Sequence, residues 1–270
     1  MSKAIYLFEG TVQEAELERL RTLEAVFDGG TQRALVAAGL RQGSQCLEIG
    51  AGAGSIATWM SDAVGSTGRV AAVDIDARFL SHLKSPNIDV HEADIRSLGL
   101  VPESFDLAHA RFVFIHVPDW RAALDATLGF LKPGGCLVLE EPDFSVSRAL
   151  AGPSELRDAF DHVHRAVEAM FAERRMDLAF GSRLPTIVQE HRLDDIVLEN
   201  DAPIVRGGSP FAKMMGMSTC QLREKYVATG LTTEEHIERY GAFTADRSCW
   251  AIYYGTIRAI GRMPRSRGAV

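Results

Sequence analysis

Residues 47–54 read Leu-Glu-Ile-Gly-Ala-Gly-Ala-Gly, and twenty residues past the last glycine Asp74 closes a second apolar run. Glycine lets a backbone turn tightly and approach a ligand with no Cβ in the way. A carboxylate at the end of the next strand falls where both hydroxyls of a ribose can donate to it. Together these residues outline a nucleotide-type cofactor site. Positioning them takes a strand over 46–49, a tight loop and a helix restarting over 55–63, followed by a strand that delivers Asp74.

The glycine spacing narrows the ligand. A dinucleotide fingerprint needs Gly or Ala at the sixth position, where the helix packs on the first strand and offers its N-terminus to a pyrophosphate, and Ser55 stands there. Glu48 adds a carboxylate two residues before Gly50, which suits a ligand carrying an ammonium and a sulfonium better than one carrying phosphates.

The run Leu47-Glu48-x-Gly50-x-Gly52-x-Gly54 resembles motif I of class I S-adenosylmethionine-dependent methyltransferases. Later segments extend the resemblance in the same order. Residues 90–95 read as a third strand ending in Asp94, residues 105–111 as a fourth, and Leu131-Lys132-Pro133-Gly134-Gly135 as the turn before a fifth strand over 136–140. It covers residues 19–145 strongly and a final strand over 250–260 more loosely.

The resemblance implies S-adenosyl-L-methionine as cofactor and S-adenosyl-L-homocysteine as product. The cofactor would be held by Glu48, Gly50, Ala51, Gly52, Gly54, Asp74, Ile75, Asp94, Ile95 and Arg111, with Asp94 taking the adenine amino group. The expected fold is α/β: a doubly wound, mostly parallel seven-stranded sheet with an antiparallel last strand, plus an N-terminal helical arm and a helical lid insertion.

Length and charge agree with one enzyme domain carrying additions. The chain has 270 residues and a net charge of −7, without the Lys/Arg stripe that a nucleic-acid backbone would require. No signal peptide, apolar 18-mer or lipidation motif is visible, so the expectation is a soluble, cytoplasmic protein with no membrane partner. The four cysteines, at 46, 136, 220 and 249, lack metal-ligand spacing, and no metal is expected. A small-molecule substrate is the expected partner, and a homodimer stays open.

The expected organisation is an arm over 1–40, a cofactor-binding core over 41–145, a lid insertion with its connecting helix over 146–192, and the rest of the core with added helices over 193–270. Apolar periodicity predicts helices over 11–28, 31–38, 154–179 and 183–191. A strand over 196–205 follows, then a helix opened by Ser209-Pro210 and another by the capping box Thr232-x-x-Glu235.

A sulfonium is already an activated donor, so methyl transfer asks mainly for alignment and exclusion of water. A base is needed only for some acceptors. His116, just past the fourth strand, is the first candidate for acting on the acceptor. His164 on the long helix and Asp143 after the fifth strand are weighed with it, against packing for the former and plain hydration for the acidic run 140–143. His109, inside the fourth strand, reads as structural. Tyr6, Phe112, Phe144, Met214 and Tyr226 are the expected wall of an apolar pocket for a flat acceptor, aromatic or heteroaromatic, in secondary metabolism. An oxidoreductase would show a Tyr-x-x-x-Lys or similar signature, and a macromolecular methyltransferase an Asn-Pro-Pro-Tyr-like motif, where this chain has Ala110-Arg111-Phe112-Val113. Methylation of a peptide, or a cofactor-binding protein that performs no transfer, is the remaining alternative.

Overall fold

Apolar runs punctuated by glycine and acid lie side by side in a seven-stranded sheet in the computed structural model, which describes residues 7, 8 and 10–265. The chain enters through helix α1 (Gln13–Ala37) and then lays down β1 (Gln45–Ile49), α2 (Ser55–Val64), β2 (Arg69–Asp74), β3 (Ile88–Glu92), β4 (Phe105–Arg111), α3 (Trp120–Phe130) and β5 (Leu131–Asp143). There follow β6 (Arg148–Ala151), α4 (Ser154–Glu173), α5 (Leu184–Glu190), β7 (Asp194–Asp201), β8 (Val205–Arg206), α6 (Pro210–Gln221), α7 (Arg223–Val227), α8 (Glu234–Ala245), β9 (Trp250–Ile252) and β10 (Gly255–Arg262).

The sheet order is β3-β2-β1-β4-β5-β10-β7, with β1 to β5 parallel and β10 antiparallel to both its neighbours. Parallel strands covered on both faces are mainly apolar, as the buried Cys46, Leu47, Ile49, Val70, Val73, Leu107 and Val138 show, with Glu48, His109, Glu140 and Glu141 as buried exceptions. Strand order reverses between β1 and β4, so a crevice opens at their carboxyl ends. Tyr6, expected in the pocket wall, lies outside the described residues. Among the described residues no helix is long and apolar enough to cross a membrane.

Several boundaries differ from the sequence reading, each for a local reason. The two expected arm helices are one, α1, continuous through Gly29-Gly30. Glycine serves a close approach there: a Cβ on Gly30 would lie 3.0 Å from the Arg258 guanidinium. Helix α4 stops at Glu173, earlier than expected, because Arg175 adopts a left-handed φ of 55°. The amides of Met176 and Arg175 then bond back to Phe171 (2.9 Å) and Ala172 (3.0 Å), a Schellman closure built without glycine. The cap of α8 is Thr233, whose hydroxyl accepts from the His236 amide, and not Thr232. The strand expected over 90–95 ends at Glu92, leaving Asp94 to cap the next turn.

The strand expected over 250–260 is broken at Tyr253-Tyr254. Its first part, β9, leaves the main sheet and joins β6 and β8 in a small three-stranded sheet. Val205, expected in the strand over 196–205, belongs to β8 of that small sheet as well. Helices α1, α4 and α6 to α8 pack on one another over the carboxyl ends of the main sheet.

Candidate active site

The glycine loop is tied to the neighbouring strand by its own amides. Gly50 and Ala51 donate to the Val73 carbonyl at 2.8 and 3.2 Å, while Gly52 donates to Asp74 Oδ2 at 2.9 Å. Gly50 and Gly52 have φ of 68° and 57°, a region costly for side chains with a Cβ. The Asp76 amide bonds the other Asp74 oxygen at 3.0 Å. Burial raises the Asp74 carboxyl, and these backbone donors oppose the rise.

A cavity of about 300 Å³ runs from this loop into the helical cap. Of the expected cofactor residues, Glu48, Gly50, Ala51, Gly52, Asp74, Ile75, Asp94, Ile95 and Arg111 line it. Gly54 does not. It is the N-cap of α2, and a Cβ there would press on Leu80 and Leu83 at 3.1–3.2 Å, so its role is packing.

A residue missed in the sequence decides the ligand chemistry at this end. Glu24, on α1, accepts the Ser55 amide at 3.1 Å, so the N-terminus of α2 is already taken by a carboxylate. A pyrophosphate would need that position. Glu48, Asp74, Asp76 and Asp94 add further acids to the wall, and Arg111, the cation beside them, is held by Asp28 (2.9 Å) and the Thr31 hydroxyl (2.8 Å). Such a surface fits ribose hydroxyls, an ammonium and a sulfonium, and repels phosphates. Asp94 is shared with Arg96, whose hydrogen bonds from side chain and backbone hold its carboxyl below the ordinary range against partial burial.

The opposite end is aromatic. Phe112, Phe144, Met214 and Tyr226, expected there, line the cavity together with Phe160, Phe171, Tyr240, Tyr253 and Tyr254. Tyr254 is the hub, with Phe144, Phe211, Phe112 and Phe27 at ring-centroid distances of 4.9 to 6.1 Å. His116 and His164 face the same space. Burial first, and then the Arg19 charge, lower His116 to about 4, so its imidazole is neutral at physiological pH. Burial also lowers His164, partly offset by Glu168 at 3.5 Å.

Asp143 is not part of this wall, contrary to expectation. It is 4% exposed, caps the turn at 144–146 through the Ser145 amide (2.9 Å) and accepts the Ser182 hydroxyl. Its neighbours Glu140 and Glu141 are both 0% exposed, where hydration was favoured.

The comparisons with known proteins follow the same outline. Residues 47–139 match the family described as a methyltransferase domain. The chain carries the Rossmann-like α/β fold found in methyltransferases. A Staphylococcus aureus demethylmenaquinone methyltransferase is 32% identical over 120 residues, 42% of this chain and 50% of that protein. An uncharacterised protein in a transposon of Streptomyces fradiae is 31% identical over 163 residues, 55% of this chain and 46% of that protein. The chain thus spans about half the length of these curated relatives. Among solved structures, Haemonchus contortus phosphoethanolamine N-methyltransferase 2, in complex with S-adenosylhomocysteine, superposes with a TM-score of 0.58 at 16% identity, over 91% of this chain and 57% of that one.

Under the cofactor end of the methyltransferase fold lies a buried charge network. His109 Nδ1 is 2.6 Å from Glu48 Oε2, and its Nε2 is 3.2 Å from Glu140 Oε1, which also accepts the Thr31 hydroxyl at 2.6 Å. Arg258 donates twice to Glu140 Oε2, at 2.7 and 3.0 Å. Burial would lower His109, but Glu48 and Glu140 outweigh it and raise the imidazole to about 9. Glu141 accepts the amides of Val113, Phe114 and Ile115 at 2.8–3.2 Å and so shapes the loop that carries His116. Burial pushes its carboxyl up to about 8 against those three donors.

Proposed function

We propose that the chain is an S-adenosylmethionine-dependent methyltransferase acting on an O, N or electron-rich C atom of a small, uncharged aromatic or heteroaromatic acceptor, in secondary metabolism and in the cytoplasm. The observation that carries this reading is the single cavity joining an acidic cofactor end to an aromatic cap. Relatives named for demethylmenaquinone support an organic acceptor, and four free cysteines fit a reducing compartment.

The residues present fit the cofactor, with Asp74 for the ribose hydroxyls, Asp94 and Ile95 around the adenine, and Glu48 on the ammonium side. Bound there, the sulfonium supplies an activated methyl group. Everything else is placement. The helices of the cap exclude water from the acceptor, and the rings around Tyr254 hold a flat molecule in line. A general base works best with a pKa near the operating pH, so His116, at about 4, serves as a neutral hydrogen-bond partner that orients the acceptor.

Asp74→Ala should weaken S-adenosylhomocysteine binding about 10- to 100-fold, since hydrogen bonds to a charged group are worth ~1.5–3 kcal/mol. Calorimetry reads this directly, and unchanged affinity would remove Asp74 from the site. His116→Ala should reduce kcat by about 10- to 100-fold with the cofactor Kd unchanged, and the parent rate should stay level between about pH 5.5 and 7, because the imidazole titrates below that window and Glu141, pushed up to about 8, above it. A full-rate variant would exclude His116 from orientation. Purified protein incubated with methyl-labelled donor and a panel of phenols, indoles, amines and carboxylic acids tests the proposal as a whole. Labelled product from one neutral aromatic class is expected, and transfer only to a peptide panel would overturn the acceptor reading.

A further inference from the structure

The cap that closes the aromatic end leaves a polar atom beside the cavity unmatched. Tyr253 is 2% exposed and lines the cavity, yet its hydroxyl has no hydrogen-bond partner among the described residues. Buried hydroxyls without partners are uncommon, because each forfeits its hydration for nothing. The neighbouring Tyr240 hydroxyl, by contrast, is hydrogen-bonded to Thr219.

The position of Tyr253 is fixed from both sides. It sits in the break between β9 and β10, beside the carboxyl end of β5, where Gly255 pairs with Asp143. Its ring packs at 5.7 Å from Phe160 of α4 and 5.8 Å from Phe211 of α6. These contacts lock the phenol in place, far along the chain from the glycine loop and within the cap. Burial raises its pKa, so the group stays protonated and can donate.

We infer that the Tyr253 hydroxyl is the polar anchor for the methyl acceptor, donating a hydrogen bond to a carbonyl or ether oxygen on an otherwise apolar ring system. This deepens, and rests on, the proposed methyltransferase reading. A cavity wall of rings that includes a buried, unmatched donor selects an uncharged aromatic that carries such an oxygen, and discriminates against the same skeleton without it.

Binding of a matched pair of probes tests the assignment, 1-tetralone and tetralin, which share a bicyclic skeleton and differ in one carbonyl. With S-adenosylhomocysteine present, the parent protein should bind the ketone about 10-fold more tightly than the hydrocarbon, and Tyr253→Phe should bring the two within about twofold by weakening the ketone alone. Cofactor affinity should not change in the variant. Its thermal midpoint without probe should stay equal or rise, since an unsatisfied buried hydroxyl has been removed, whereas a purely structural tyrosine would lower it. Discrimination retained by Tyr253→Phe, or absent from the parent, overturns the anchor while leaving the cofactor site intact. Failure of the parent to bind S-adenosylhomocysteine at all overturns the methyltransferase reading and the anchor with it.

Discussion

Replacing Glu140 by alanine should cost about 3–5 kcal/mol of stability, because it strands the His109 and Arg258 cations in the interior without their shared carboxylate. Glu140 has no exposure, and it accepts from His109, Thr31 and Arg258 at once. For a chain of this length that loss corresponds to a fall of about 10 °C in thermal midpoint, read by calorimetry or circular dichroism. A variant that melts within about 2 °C of the parent would mean the network is not a determinant of the fold.

The same network sets a pH dependence whose sign can be derived. His109 is raised to about 9, so its contribution to stability is complete below its unfolded value of about 6.5 and is lost as pH climbs through about 9. Burial would raise Glu140, but His109 and Arg258 hold it at about 2, so its contribution is present above its unfolded value and lost only as pH falls through about 2. The thermal midpoint of the parent should therefore decline between about pH 6.5 and 9.5, and His109→Gln should flatten that slope.

Gly52→Val should abolish cofactor binding, with an affinity loss of more than about 100-fold, while the chain stays folded. A β-branched residue resists the φ of 57° that Gly52 adopts. Its Cβ would meet Leu20 Cδ2 at 3.7 Å and the Gly50 carbonyl oxygen at 4.0 Å, ordinary contacts, so the core is not disturbed. The added methyls instead occupy the cavity, and the bond from the Gly52 amide to Asp74 is put at risk. Calorimetry with S-adenosylhomocysteine, alongside a far-ultraviolet spectrum, separates the two effects. Retained binding would refute the loop assignment.

The rhythm from β1 to β5 was legible because parallel strands buried on both faces are mainly apolar, and because the turns between them need glycine and acid at fixed places. The acids at 48, 74 and 94 could be read for the same reason: each lies at or next to a strand in the core. The rest depends on contacts distant in sequence. Glu24 looks like any acid on an amphipathic helix until α1 packs over the start of α2. Glu140 and Glu141 look like hydrated acids at a strand exit. They are buried because His109, Arg258 and the loop amides after β4 satisfy them, partners lying between 26 and 118 residues away. Asp143 turned aside to Ser182, 39 residues on, for the same reason. The aromatic hub at Tyr253 and Tyr254 was hidden inside what read as one uninterrupted strand.

The most direct test of the central claim is a crystal structure of the protein with S-adenosylhomocysteine. The ribose is expected on Asp74, the adenine between Asp94 and Ile95, the amino-acid end toward Glu48, and the sulfur facing the aromatic cavity beside His116. A ligand seated elsewhere, or seated in the cavity with its sulfur turned away from the aromatic end, would contradict that claim.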